Sequence, residues 1–423
     1  MASKVWSNFG QLAGGRLVSA VLTFLATIIM ARSLGPEEFG SVVLLHTYAL
    51  VARALLNFKP SETFVRYGVP LIDADNRESL ADLLGIVRVV EWLSAIFATL
   101  FAVCAAPLLG PYLGWSDDLI VIAMAYSLIL LGSAVGTARG MCRALERFDV
   151  LRNQLAIGPS VRLVGVLLAW YFEASWHYFA FAWGFSLLVS YLYMRRQGTK
   201  LLKETGYQPR HISFAKAVDR FPGLPSFMGV VYVQGNLDQL PRQLVTLLLG
   251  GSLGSAAAGL YRIAREIADI LAKPVQLIRQ AAFTELTRVA QAEPQGLPSR
   301  VLRDSLKLLL PGIVLVGVGY LWGDLVLKYI AGEQYVAAHL LLVLLLAAAA
   351  VELLGALLRP LAYVLNSANR ALFAQVCASL TYLVVFVVLV GTWGVEAVGV
   401  AACVAALLGV VLMLFVVAKA SRS

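Results

Sequence analysis

Ser33-Leu34-Gly35-Pro36-Glu37-Glu38-Phe39-Gly40 returns as Ser252-Leu253-Gly254-Ser255-Ala256-Ala257-Ala258-Gly259, an offset of 219 residues. Each octet stands between two long apolar stretches, at 10–32 and 39–58 in the first instance and at 224–249 and 257–279 in the second. Each therefore reads as the turn joining the first and second helices of a group, and the repeat divides the chain into two copies of similar length.

Outward from the octets, further stretches near the roughly 20 residues that span a bilayer fall at 84–107, 118–138, 152–172 and 175–194 in the first copy. In the second they fall at 306–330, 338–363, 371–391 and 396–418. The sequence thus predicts an all-α polytopic membrane protein with about 12 transmembrane helices in two six-helix bundles. An even number of spans per copy makes both copies enter the membrane in the same direction. That is a parallel repeat about an axis along the membrane normal, with a cargo site between the halves near the midplane. The expected organisation is a first bundle over 1–196, a linker over 197–222 containing Gly206, Pro209 and Pro222, and a second bundle over 223–423.

Composition agrees. The chain has 423 residues, of which 60% are hydrophobic and 14% charged, with mean hydropathy +0.79. Soluble domains average about 25% charged residues, so a soluble enzyme and a disordered chain are both excluded. Cys104, Cys142, Cys377 and Cys403 lie in or beside apolar runs without Cys-x-x-Cys spacing. They read as small core residues rather than a disulfide or zinc framework. Arg32 follows the first apolar stretch directly, with no small-residue cleavage pattern, so that stretch reads as a retained helix.

The formal charge of +9 is distributed by side. Alternate inter-span segments hold Lys59, Arg66 and Arg77; Arg143, Arg147 and Arg152; Arg195 through Arg220; Arg288 through Lys307; and Arg370. The opposite set carries Arg32 as its one strong base. The positive-inside rule makes the basic set cytoplasmic, and Lys4, Lys419 and Arg422 place both termini there. The charge is thus a topology signal, and no nucleic-acid partner is expected. Trp115, Trp176, Trp322 and Trp393 mark the other boundary as an aromatic belt. Loops on that side are short and leave no room for a catalytic domain.

Charges inside spans are the candidates for function, because an ionised side chain at a helix centre costs roughly 2.5–3.5 kcal/mol. In the eighth span Arg262, Arg265, Glu266, Asp269 and Lys273 form one stripe, which must face protein or water. The seventh span adds Asn236, Asp238 and Arg242 around Pro241, and the tenth adds Glu352 at mid-depth and Arg359 beside Pro360. The first half contributes Arg16, Arg53, Arg88 with Glu91, Arg139, and Arg162 three residues after Pro159. A structural role competes with each. Arg88 and Glu91 have the spacing to pair with one another, Arg139 and Arg359 lie low enough to snorkel to the inner headgroups, and Arg262 and Arg265 are near the outer end. Gly132, Gly136 and Gly140 have the small-xxx-small spacing of close helix packing. Basic residues dominate the first half and mixed charge the second, and a cavity lined this way holds an anion.

Ala31 to Gly40 after a first helix, and Ser61-Glu62-Thr63-Phe64-Val65-Arg66-Tyr67 after the second, resemble the opening of a known family. It is the polysaccharide-transport branch of the multidrug/oligosaccharidyl-lipid/polysaccharide exporter superfamily, the bacterial flippases for O-antigen, capsule and exopolysaccharide units. Asn236-Leu237-Asp238, Leu253-Gly254 and Ala258-Gly259-Leu260-Tyr261 are similar to its seventh-to-eighth helix stretch.

The resemblance implies a V-shaped alternating-access transporter of the bacterial inner membrane, not an enzyme. It implies no cofactor or metal, and a proton or sodium gradient as energy source. The cargo it implies is an undecaprenyl-pyrophosphate-linked oligosaccharide in the lipid bilayer, with polysaccharide polymerase and chain-length machinery as partners. The resemblance places Arg16, Arg53 and Arg262 on the pyrophosphate and makes Asp238 the coupling-ion candidate; depth in the spans adds Arg162 and Lys273 as residues expected on pyrophosphate or sugar, and Asp269, Glu352 and Glu266 as further coupling-ion candidates. Pro241 and Arg242 depart from the family's more apolar continuation after Asp238. Two alternatives remain: a multidrug cation antiporter of the same superfamily, which wants carboxylates without arginines in the first-half cavity, and a membrane polysaccharide polymerase or ligase, which wants a large outer loop.

Overall fold

A computed structural model describes residues 2–237, 239–271, 297–365 and 367–420, and among them every regular element is helical. The first half holds α1 (Ala2–Leu56), α2 (Pro60–Asp73), α3 (Arg77–Leu109), α4 (Asp117–Ser127), α5 (Gly136–Ala144), α6 (Phe148–Tyr171), α7 (Trp176–Thr205), α8 (Phe214–Arg220) and α9 (Leu224–Leu237). The second holds α10 (Leu240–Leu253), α11 (255–271), α12 (Leu297–Lys307), α13 (Leu309–Ile330), α14 (His339–Leu354), α15 (Leu358–Val364), α16 (Ala368–Trp393) and α17 (Ala397–Ala420). Helix makes up most of the described part of each of the twelve expected spans.

The two octets are built alike. Gly35, at φ 70° and ψ 177°, breaks α1 into two limbs, and Gly254, at φ 86° and ψ 170°, separates α10 from α11. Positive φ is open to glycine at little steric cost. Pro36 then starts the second limb at a position where a missing N–H is harmless.

Contacts divide the chain into two compact units, one of residues 1–34 and 42–236, the other of residues 35–41 and 237–423. In the first unit α6 and α7 pair along their length, and Gly165 meets Ala182. In the second, α13 pairs with α14, where Gly312 meets Ala350, and α16 with α17. Small residues let backbones approach where lipid supplies no hydrophobic drive between helices. Gly140 lies against Phe64 and the Ser61 carbonyl, and Gly136 against Pro60, so those two glycines seat α2 on α5. Helix α2 itself was not expected; it folds from an inter-span segment by burying Thr63, Phe64 and Gly68.

Helix α7 runs on to Thr205, where Gly206 at φ 70° ends it. The chain then lies down on the first turn of α3 instead of hanging free. Arg210 donates its backbone N–H to Ala81 O (2.9 Å) and its guanidinium to Asp82 (2.7 Å) and Glu78 (3.3 Å). Arg220 donates to Ser79 Oγ (3.2 Å), to Glu78 (3.4 Å) and to Asp82. The Asp82 carboxylate is 2% exposed and takes both arginines.

Candidate functional site

Within the first unit a cavity of about 300 Å³ opens where α1, α3 and α5 meet. Four basic side chains line it. Arg53, in the last turn of α1, donates to Tyr191 Oη (3.3 Å). Lys59 sits in the left-handed region (φ 51°) ahead of α2. Arg139 donates to Gln154 Oε1 (3.2 Å), and Arg143 to Glu62 Oε1 (3.1 Å). Burial, then the charge of Arg53, lowers the pKa of Lys59; an anion in the cavity opposes that shift.

Two carboxylates share the lining, Glu62 and Glu91. Glu91 does not pair with Arg88 as the i, i+3 spacing suggested. Its carboxylate accepts the backbone N–H of Gly136, the N–H of Thr137 (3.2 Å) and the hydroxyl of Thr137 (2.7 Å). The fourth span is broken between Ser133 and Gly136, which leaves the first N–H groups of α5 without intrahelical acceptors. A buried carboxylate from α3 satisfies them and meets the positive end of the helix dipole. With four cations facing two carboxylates, the cavity carries an excess of two positive charges.

The second unit has its own cavity, about 410 Å³, walled by α10, α11, α14, α16 and α17. Arg242 faces Glu352 (3.6 Å) and Arg265 faces Asp269 (3.6 Å) across or along its wall. Arg265 also donates to Tyr261 Oη (3.1 Å), whose oxygen lies 3.4 Å from Tyr382 Oη. Arg359 completes the basic lining.

The residues expected from the sequence are thus dispersed. Arg53 lines the first cavity, and Asp269 and Glu352 the second. Arg162 is 5% exposed, donates to Thr27 Oγ1 (2.8 Å) and lies 3.7 Å over the Trp183 ring, on whose plane His46 also stacks. It belongs to a packed polar cluster rather than to a cavity wall. Arg16 is exposed on the first limb of α1. Arg262 pairs with Glu266 one turn along α11 (2.8 Å), and neither reaches the cavity. Asp238 and Lys273 lie outside the described residues.

From the sequence, headgroup contact competes with a functional role for Arg139 and Arg359, Lys59 and Arg143 fall in inter-span segments, and Arg265 lies near the outer end. All five line cavities. The available signal was breakage: Arg139 and Arg143 follow the interruption at 134–135, Arg359 adjoins Pro360, and Arg242 follows Pro241.

Residues 29–340 match the family described as polysaccharide biosynthesis protein. The inner membrane protein YghQ of Escherichia coli (strain K12) is 26% identical over 335 residues, covering 78% of this chain and 94% of that protein. Among solved structures, an inward-facing multidrug resistance MATE family transporter of the MOP superfamily superposes with a TM-score of 0.70 at 15% identity, over 96% of each chain. The lipid II flippase MurJ in an inward closed conformation gives 0.72 at 12% identity, over 97% of this chain and 89% of that one.

Proposed function

The chain belongs to the polysaccharide biosynthesis protein family, and from that premise we propose that it is a flippase for a polyprenyl-pyrophosphate-linked oligosaccharide. The observation that carries this reading is the charge of the first cavity, where Arg53, Lys59, Arg139 and Arg143 exceed Glu62 and Glu91 by two. A diphosphate esterified at both ends bears one negative charge on each phosphorus, so the excess is matched by such a group and by no neutral or cationic cargo. Guanidinium groups bind phosphate oxygens in pairs, most strongly where water is scarce. A drug-cation carrier calls for the opposite sign.

In this proposal the O-antigen, capsule or exopolysaccharide unit is loaded at the cytoplasmic leaflet, where both termini lie, and released at the outer leaflet by alternating access. A proton or sodium gradient supplies direction through Asp238, Asp269, Glu266 or Glu352, and polymerase and chain-length machinery receive the product. The test uses inverted membrane vesicles loaded with a labelled lipid-linked unit. Vesicles with the protein deliver label to the opposite leaflet and vesicles without it do not; equal delivery in the two would overturn the proposal.

A further inference from the structure

The diphosphate reading leaves the second unit's cavity without an occupant. Its ionised groups are largely matched: Arg242 with Glu352 and Arg265 with Asp269, each at 3.6 Å. Arg359 is the remaining guanidinium on the wall, and among the described residues no carboxylate pairs with it. Among the described residues the lining therefore carries an excess of one positive charge, against two in the first unit. Uncompensated charge at membrane depth is unfavourable, so a ligand with a single negative charge balances this site. A diphosphate would overshoot it.

The remaining lining speaks to the rest of the ligand. Ala348, Ala378, Ala402 and Ala406 form a smooth, methyl-covered wall, while the Tyr261 and Tyr382 hydroxyls stand as a hydrogen-bonding pair beside it. Weakly apolar faces with scattered hydroxyl partners suit a pyranose ring. Small-molecule pockets run from about 300 to 1,000 Å³, and about 410 Å³ is room for one ring rather than a whole repeat unit.

Resting on the saccharide-carrier reading above, we infer that this cavity binds a sugar residue bearing one carboxylate, of the uronic-acid class, with Arg359 as the partner of the carboxylate. The carried saccharide is then an acidic one.

The test is ligand-observed saturation-transfer NMR on the full chain in lipid nanodiscs, titrating methyl β-glucuronide, methyl β-glucoside and glucose 6-phosphate. Methyl β-glucuronide is expected to bind about tenfold tighter than either comparison probe, a preference of about 1.4 kcal/mol. Arg359→Gln should abolish the preference and Arg359→Lys retain part of it. In case Arg359→Gln does not fold, phenylglyoxal labelling of the unmodified protein, read by mass spectrometry, should show Arg359 protected by the glucuronide and not by the glucoside. Equal binding of the glucoside, tighter binding of the phosphate, or unprotected Arg359 would each overturn the inference. Vesicle delivery of a lipid-linked unit built only of neutral sugars separates the two proposals. Delivery without glucuronide binding sinks the acidic-sugar site alone, whereas glucuronide binding without delivery of any lipid-linked unit sinks the flippase reading and leaves the site standing.

Discussion

Gly40 and Gly259 lie backbone to backbone, each beneath the carbonyl of the residue four positions before the other: Gly40 under Ser255 O and Gly259 under Pro36 O. The offset of 219 maps Gly40 onto Gly259 and Pro36 onto Ser255, so the two octets found in the sequence meet in space as equivalents. A methyl group at either position would overlap the opposing carbonyl.

Gly40→Ala and Gly259→Ala are each expected to lower stability by about 1–3 kcal/mol, as overpacking does where backbone must move. Gly229→Ala, in a helix with open space around it, should be neutral or slightly stabilising. Thermal unfolding of the purified protein in detergent checks all three, and equal melting temperatures for Gly40→Ala and Gly229→Ala would contradict the contact.

Replacing Arg139 or Arg143 by Gln should weaken binding of the lipid-linked diphosphate about tenfold or more each, since charged hydrogen bonds to phosphate contribute about 1.5–3 kcal/mol. The lysine variants should keep part of the affinity. Arg16→Gln should change it little, because Arg16 does not line the cavity. Initial rates of label delivery in vesicles rank the variants.

Glu91→Ala strips the cap from α5 and leaves the Gly136 and Thr137 N–H groups without their acceptor. A loss of about 2 kcal/mol is expected. Glu91→Gln, which can still accept one N–H, should fall between, as read from unfolding midpoints at equal detergent concentration.

Asp82→Ala removes the group on which Arg210 and Arg220 converge. The segment 207–213 should then detach from α3, and limited trypsin digestion should cut after Arg210 and Lys216 several-fold faster than in the parent. Unchanged digestion would mean that the backbone bond from Arg210 to Ala81 suffices on its own.

Two surface carboxylates predict an acid limb. The Arg220 hydrogen bond and charge lower the pKa of Glu78, and the Arg147 hydrogen bond lowers that of Asp149. Carboxylates with depressed folded pKa values stabilise the fold above their unfolded values, about 4.3 for Glu and 3.9 for Asp. That contribution is lost as pH falls through the folded values. The difference in melting temperature between the parent and the Glu78→Gln, Asp149→Asn double variant should therefore be constant from about pH 7 to 5 and shrink below about pH 4.

Span positions and the repeat were legible because both rest on long apolar runs and on glycines whose φ angles no other residue adopts cheaply. The site was less legible. Distance to the ends of a span gives depth only along a straight helix, and breaks at 134–135 and beside Pro241 and Pro360 displace side chains from where one would put them. Arg139 and Arg359 thereby reach cavities, while Arg265 reaches one from the unbroken helix α11. Arg162 illustrates the converse: a buried arginine near mid-span, engaged by Thr27 and the face of Trp183, is indistinguishable in sequence from one that lines a cavity.

The unit boundaries have an evolutionary consequence. If the second copy began as a duplicate of the first, its opening stretch from about residue 220 now folds with its sibling. Tyr232 donates to Leu55 O (2.8 Å) and Asn236 to Ala54 O (3.0 Å), while residues 35–41 of the first copy fold with the second. The fused siblings have traded segments, in the manner of a domain-swapped dimer. A gene cut at the duplication point would return two fragments, each missing a piece that the other holds.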